Sequence, residues 1–195
     1  MRCRLAAAAL VLGLSACAQP ELPADHFYRL SVKPPQAARA RPLLGGVLQI
    51  ERFAADGVTG ARPVAYSRPG QAGELRAYHY HFWAEPPRTL LQNALADYLR
   101  QAGAAASVVT PELRLEPNHV ISGKIKRFER LMSDPPGAIV EIELSLTDRA
   151  TEKLVHQATY RAREPAAGPA MGATIAALGR ATERVFAGFL KDIGG

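Results

Sequence analysis

The sequence is poor in cysteine: it has two, Cys3 and Cys17, and none follows residue 17. The body of the chain therefore holds no disulfide framework and no thiolate metal site. It also lacks an apolar run able to cross a bilayer. The longest, Leu5 to Leu14, would rise only about 15 Å as a helix, half the hydrocarbon thickness. Nucleotide chemistry has no carrier, because Gly123-Lys124 lacks both the upstream glycine and the following hydroxyl of a phosphate loop, so any ATP use belongs to a partner. Neither a G-x-S-x-G elbow nor an H-E-x-x-H zinc motif occurs. Aromatic residues make up 7% of the chain, with a single tryptophan, Trp83. No G-X-Y period and no repeat of 20–50 residues is present, which excludes collagen and solenoids.

What remains suits one globular domain with a core: 195 residues, 48% apolar, with 24 Lys+Arg against 18 Asp+Glu for a net charge of +6. Arg2 and Arg4 form a positive start, and Leu5 to Leu14 is the apolar stretch of an export signal. Leu14-Ser15-Ala16-Cys17 then resembles the lipobox of bacterial lipoproteins. That resemblance implies diacylglycerol on the Cys17 thiol, cleavage before Cys17 and acylation of the new amine, palmitate being a typical chain. Residues 1–16 are thus expected to be a signal peptide, 17–25 a lipidated tether and 26–195 a single α+β domain. Cleavage would take Arg2 and Arg4 away and lower the charge from +6 to +4. Two or three acyl chains anchor stably where one does not. Ala18, in place of the Asp often found there in inner-membrane lipoproteins, favours by resemblance the outer membrane, facing the periplasm. An exported protein of this kind has no nucleic-acid partner.

Residues 18–25 would span about 25 Å fully extended, stiffened by Pro20 and Pro23. Alternating apolar positions predict strands at 26–32, 47–53, 75–83, 107–110, 119–128, 138–147 and 154–160. Residues 54–73, rich in Gly, Pro and Arg, predict a long loop with one short extended piece at 64–67. Pro86-Pro87 suits a helix start. Leu90, Leu91, Leu95 and Leu99 make the buried stripe of that helix, and Gly103 suits its end. A last helix is expected over about 170–193. Its Gly172, Gly179 and Gly188 weaken it unless another backbone approaches there. Asp134-Pro135-Pro136-Gly137 is turn chemistry, so 119–160 reads as an antiparallel meander. The expected architecture is an antiparallel-dominated sheet with two helices packed on one face.

The order of these pieces resembles the ABC-type transport auxiliary lipoproteins of the paraquat-inducible protein C type. The residues that carry the likeness are Tyr80-x-x-Trp83-x-x-Pro86, Ile121-Ser122-Gly123 through Arg127-Phe128, and Ala138 to Asp148. The resemblance implies an auxiliary component of a phospholipid transport system, with an ABC ATPase, a permease and a periplasmic mammalian-cell-entry (MCE) protein as partners. It implies a docking component with no reaction and no cofactor of its own.

Several side chains admit two readings. His79 and His81 lie two apart on a strand and would share a face, as a metal pair would, yet no further ligands cluster nearby in sequence, which favours plain edge-strand histidines. Glu141 and Glu143 sit about 7 Å apart on one strand face, either as paired carboxylates or as a solvated face opposite the core. Trp83 either anchors a partner or caps the core where strand meets helix. The arginines 39, 41, 52, 62, 68 and 76 either face anionic headgroups or an acidic partner, or merely solvate loops. Trp83, Tyr80, Arg62 and Arg68 are the candidate partner or lipid contacts, and Cys17 the lipidation site. A direct lipid-binding carrier, a structural envelope-assembly lipoprotein and a homo-oligomer remain open alternatives.

Overall fold

The computed structural model describes residues 23–71 and 73–194, so the signal peptide, Cys17 and most of the tether lie outside the described residues. The strands are β1 (His26–Tyr28), β2 (Leu44–Ile50), β3 (Ala54–Ala55), β4 (Pro63–Ser67), β5 (Arg76–Trp83), β6 (Ala105–Val109), β7 (His119–Leu131), β8 (Gly137–Asp148) and β9 (Lys153–Pro165). The helices are α1 (Pro87–Ala102), between β5 and β6, and α2 (Met171–Asp192), after β9.

The sheet is built on β7. One edge of β7 pairs antiparallel with β8 from His119↔Asp148 to Leu131↔Gly137, and β9 continues antiparallel beyond β8. The other edge is shared by three short strands laid end to end and parallel to it. Residues 48–50 of β2 face 119–121, Ala54 and Ala55 of β3 face Lys124 and Ile125, and residues 65–67 of β4 face 129–131. Strand β6 joins β2, and β5 followed by β1 joins β4.

The expected antiparallel-dominated sheet is therefore corrected. Among the described residues five of the eight strand pairings are parallel, and the mixed sheet curls into a half-barrel accompanied by the two helices. The meander of β7, β8 and β9 is present, because tight turns force antiparallel neighbours. The rest pairs across long stretches of chain that no local pattern announces. The extended piece expected at 64–67 is present as β4, one residue longer, while the rest of the expected loop also holds β3 and a 3-10 turn at Gly57–Gly60. These short strands owe their pairing to the open edge of β7 rather than to their own composition.

Both helices contribute to one buried cluster. Leu91, Leu95 and Leu99 of α1 and Leu178, Phe186 and Phe189 of α2 are fully buried with Leu48, Ile50, Ile142 and Leu144. Helix α1 ends where the glycine stop places it: Gly103 takes the left-handed conformation at φ 64°. Its amide bonds to the Arg100 carbonyl at 3.1 Å. Buried Gln92 donates to the Ile50 carbonyl at 2.9 Å and so ties α1 to the end of β2.

The first strand stops earlier than the alternation predicts, at Tyr28. The chain then crosses α2 as a strap, with Leu30 and Val32 packed on the core. This explains one glycine of α2: a Cβ at Gly179 would lie 2.2 Å from the Ser31 carbonyl oxygen. Overpacking of this kind typically costs about 1–3 kcal/mol, so Gly179→Ala is expected to lower stability by at least that. The open site at Gly172, where a Cβ meets nothing within 4 Å, should instead tolerate alanine or gain slightly. Chemical denaturation of the two variants checks the contrast.

Candidate functional site

The residues singled out from sequence gather around strands β1, β4 and β5. Where β4 meets β5, Pro63 pairs with Phe82 and Ala65 with Ala77, so residues 78–81 oppose Val64 alone. This wide bulge breaks the two-residue alternation and sorts the aromatic run Tyr78 to Trp83 unexpectedly. His79 and Tyr80 both emerge to solvent, Tyr80 being 40% exposed. His81 is half-buried and Trp83 fully so.

Trp83 stacks on Phe128 with ring centroids 4.9 Å apart and is 1% exposed. Its indole belongs to the core at the strand-to-helix corner, with no face open to a partner. Arg62 braces the same corner: its Nε donates to the Trp83 carbonyl and its Nη2 to the Ala84 carbonyl, both at 3.3 Å. The Arg62 guanidinium also lies 5.5 Å from the ring centre of Phe27. Phe27, 58% exposed, stacks on Phe82 at 5.6 Å. Arg68 lies 5.7 Å from the ring centre of Tyr66, and Tyr66 packs on Tyr78 at 4.7 Å. Arg68 also borders a cleft of about 310 Å³ with Arg127, Met132, Ser133 and Arg163.

His79 and His81 do not form a pair. His81 leads inward, where its Nδ1 lies 2.8 Å from the Tyr28 hydroxyl and its ring stacks on His26 at 5.3 Å. Burial first, then the charges of His26 and Arg130, hold the His81 pKa below its ordinary value of 6.5. Burial also raises the Tyr28 phenol above its usual value, so two uncharged groups share this hydrogen bond at neutral pH. Protonating the ring places a charge in this half-buried position, beside His26 and Arg130. A lowered folded-state pKa means that the unfolded chain binds the proton more readily, so this contribution is complete above pH 6.5 and is lost as pH falls towards the depressed value. The melting temperature is expected to fall between pH 7 and 5.5, and less so in His81→Gln, which keeps an acceptor without the charge. Equal slopes in the two proteins would contradict the assignment.

Sequence reading missed Arg130. It is only 8% exposed, its Nη2 donates to the Pro169 carbonyl at 2.8 Å and its Nε has no partner. Among the described residues, Arg62, Arg68 and Arg130 form no ion pair. The outer face of β7, β8 and β9 is different, for it holds ion pairs at Glu141 and Glu143. Arg161 Nε donates to Glu141 at 2.7 Å and Lys126 meets Glu143 at 2.8 Å, which holds the Glu143 carboxyl below its usual range. The Glu141 and Glu143 pair is thus clamped by cross-strand cations. The interior is filled by side chains, and the clefts bordered by described residues are shallow. One of about 450 Å³ lies between Arg29, Leu30 and α1.

With this geometry in place, comparison with known proteins identifies the family. Residues 28–188 match the ABC-type transport auxiliary lipoprotein component. The chain belongs to that family. A crystal structure of a Xanthomonas campestris protein superposes on this auxiliary lipoprotein with a TM-score of 0.70 at 20% identity, covering 87% of this chain and 93% of that one. An uncharacterized protein gives 0.69 at 14% identity, covering 88% and 99%. The PelC dodecamer from Paraburkholderia phytofirmans gives 0.51 at 14% identity, covering 84% and 96%. At these identities the likeness concerns the fold. No curated protein matches the sequence.

Proposed function

We propose that this protein is an outer-membrane lipoprotein, facing the periplasm, that serves an ABC-type phospholipid transport system by docking its periplasmic MCE-type component. The observation that carries the reading is the family match over 28–188, joined to a lipobox-like Leu14-Ser15-Ala16-Cys17. Ala18 supports the outer membrane as the destination. Docking without a reaction of its own is part of the proposal, since the family's named role is auxiliary. A direct lipid carrier is less well supported, because Leu48, Ile50, Leu144 and Leu146 fill the interior where an acyl chain would lie. Assembly of several copies also belongs to the proposal, and the related fold of PelC occurs as a dodecamer.

Deletion of the gene tests the reading at the level of the envelope. A transport role predicts phospholipid accumulating in the outer leaflet of the outer membrane while outer-membrane proteins assemble normally. Defective protein assembly with unchanged lipid asymmetry would instead indicate a structural envelope role and overturn the proposal.

A further inference from the structure

The aromatic edge of the sheet has an unusual composition for a free surface. Strand β1 is an edge strand of three residues, paired among the described residues only with β5. On this edge stand Phe27, 58% exposed, its stacking partner Phe82, and the bulged Tyr80 and His79. Beside them lie Arg62, against the Phe27 ring, and Arg68, against the Tyr66 ring, neither with a carboxylate partner among the described residues. Exposed aromatic rings interleaved with unpaired guanidinium groups match the headgroup zone of a bilayer. There, amphipathic rings sit at the boundary and cations meet phosphates.

The chain's connectivity selects the same edge. Phe27 follows Cys17 by ten residues, a contour of at most about 35 Å. A domain of this length has a radius of gyration near 16 Å, and β9 forms the edge of the sheet away from β1. The short tether thus brings the β1–β5 edge to the anchoring membrane before any other strand. We infer that the β1–β5 edge, through Phe27, Tyr80, His79 and Arg62, rests on the phospholipid surface that holds the lipid anchor. The faces of β8 and β9 are thereby turned away from that surface. The inference builds on the lipidated Cys17 of the proposed function and adds an orientation to it.

The test uses the full lipidated protein in vesicles of phosphatidylethanolamine with a minority of phosphatidylglycerol. Acylation occupies Cys17 and signal cleavage removes Cys3, so a single introduced cysteine is the one free thiol. Phe27→Cys, Tyr80→Cys and, as a control on the opposite edge, Gln157→Cys are each given a nitroxide label. All three positions are exposed, so the substitutions leave the core intact. The expected result is a several-fold drop in accessibility to a water-soluble relaxation agent at 27 and 80 on membrane attachment, with 157 unchanged. Equal accessibility at all three positions in a protein that sediments with the vesicles would overturn the inference. A protein that stays in solution and carries a free Cys17 thiol would instead show that the anchor itself is wrong, a separate and recognisable failure.

Discussion

Replacing Cys17 by serine is expected to abolish incorporation of labelled palmitate completely. The protein should remain at the full 21.0 kDa of the uncleaved chain instead of losing residues 1–16. Under the proposed anchor the effect is all-or-none, because the sulfur would accept the first lipid. A hydroxyl at the same place offers no comparable nucleophile, since thiolate chemistry is what makes cysteine reactive. The downstream loss is equally large: each buried CH₂ of an acyl chain contributes about 0.8 kcal/mol of membrane affinity, and two or three chains together make attachment effectively permanent. Mass spectrometry of the mature N-terminus gives the same answer independently. A cleaved, acylated Cys17→Ser protein would refute the assignment of the anchor.

The second large effect concerns Trp83. Burial at 1% exposure and stacking on Phe128 at 4.9 Å make it a core side chain. Truncating such a residue typically costs about 3–5 kcal/mol. At about 2–4 °C per kcal/mol for a domain of this size, Trp83→Ala should lower the melting temperature by about 10 °C. Trp83→Phe should cost less, because it keeps the stacking plane. The backbone amide and carbonyl of Trp83 are also held, by the Arg62 carbonyl at 2.7 Å and by the Arg62 side chain, so the corner between β5 and α1 loosens with the ring. A Trp83→Ala protein with unchanged stability but impaired partner capture would instead make the indole a contact residue.

These two residues mark the range of what the chain discloses before folding. The proposed anchor at Cys17 is read from four consecutive letters alone, because such a signal is local in sequence. Helix α1 is legible for a similar reason: its stripe of leucines and its Gly103 stop are local statements of burial and backbone conformation. The hairpins of β7, β8 and β9 follow from turn residues. The parallel half of the sheet is not legible, since Leu48 and His119 pair across 71 positions with nothing but geometry to match them. Strand β3 carries the composition of a loop and becomes a strand because β7 leaves an edge open to it, whereas the extended piece at 64–67 was legible as β4 but not its partner.

The candidate site was legible in content but not in arrangement. The run Tyr78 to Trp83 announces aromatic density, and Arg62 and Arg68 announce charge. The bulge at 78–81 was hidden, and with it the turning of His81 inward and of Tyr80 outward. Exposed Phe27 reads in sequence as an ordinary member of an alternating strand, and buried Arg130 lies beyond the strand expected at 119–128. The value of these residues lies in what they lack, a covering neighbour or a carboxylate, and that is settled only by the fold.

The central claim, an auxiliary lipoprotein that docks a lipid-carrying partner, meets its most direct test in affinity purification of the tagged, lipidated protein from its own envelope after mild cross-linking. Identification of the retained proteins by mass spectrometry should return an MCE-type periplasmic protein, together with its permease and ATPase. Recovery of unrelated outer-membrane proteins alone would contradict it.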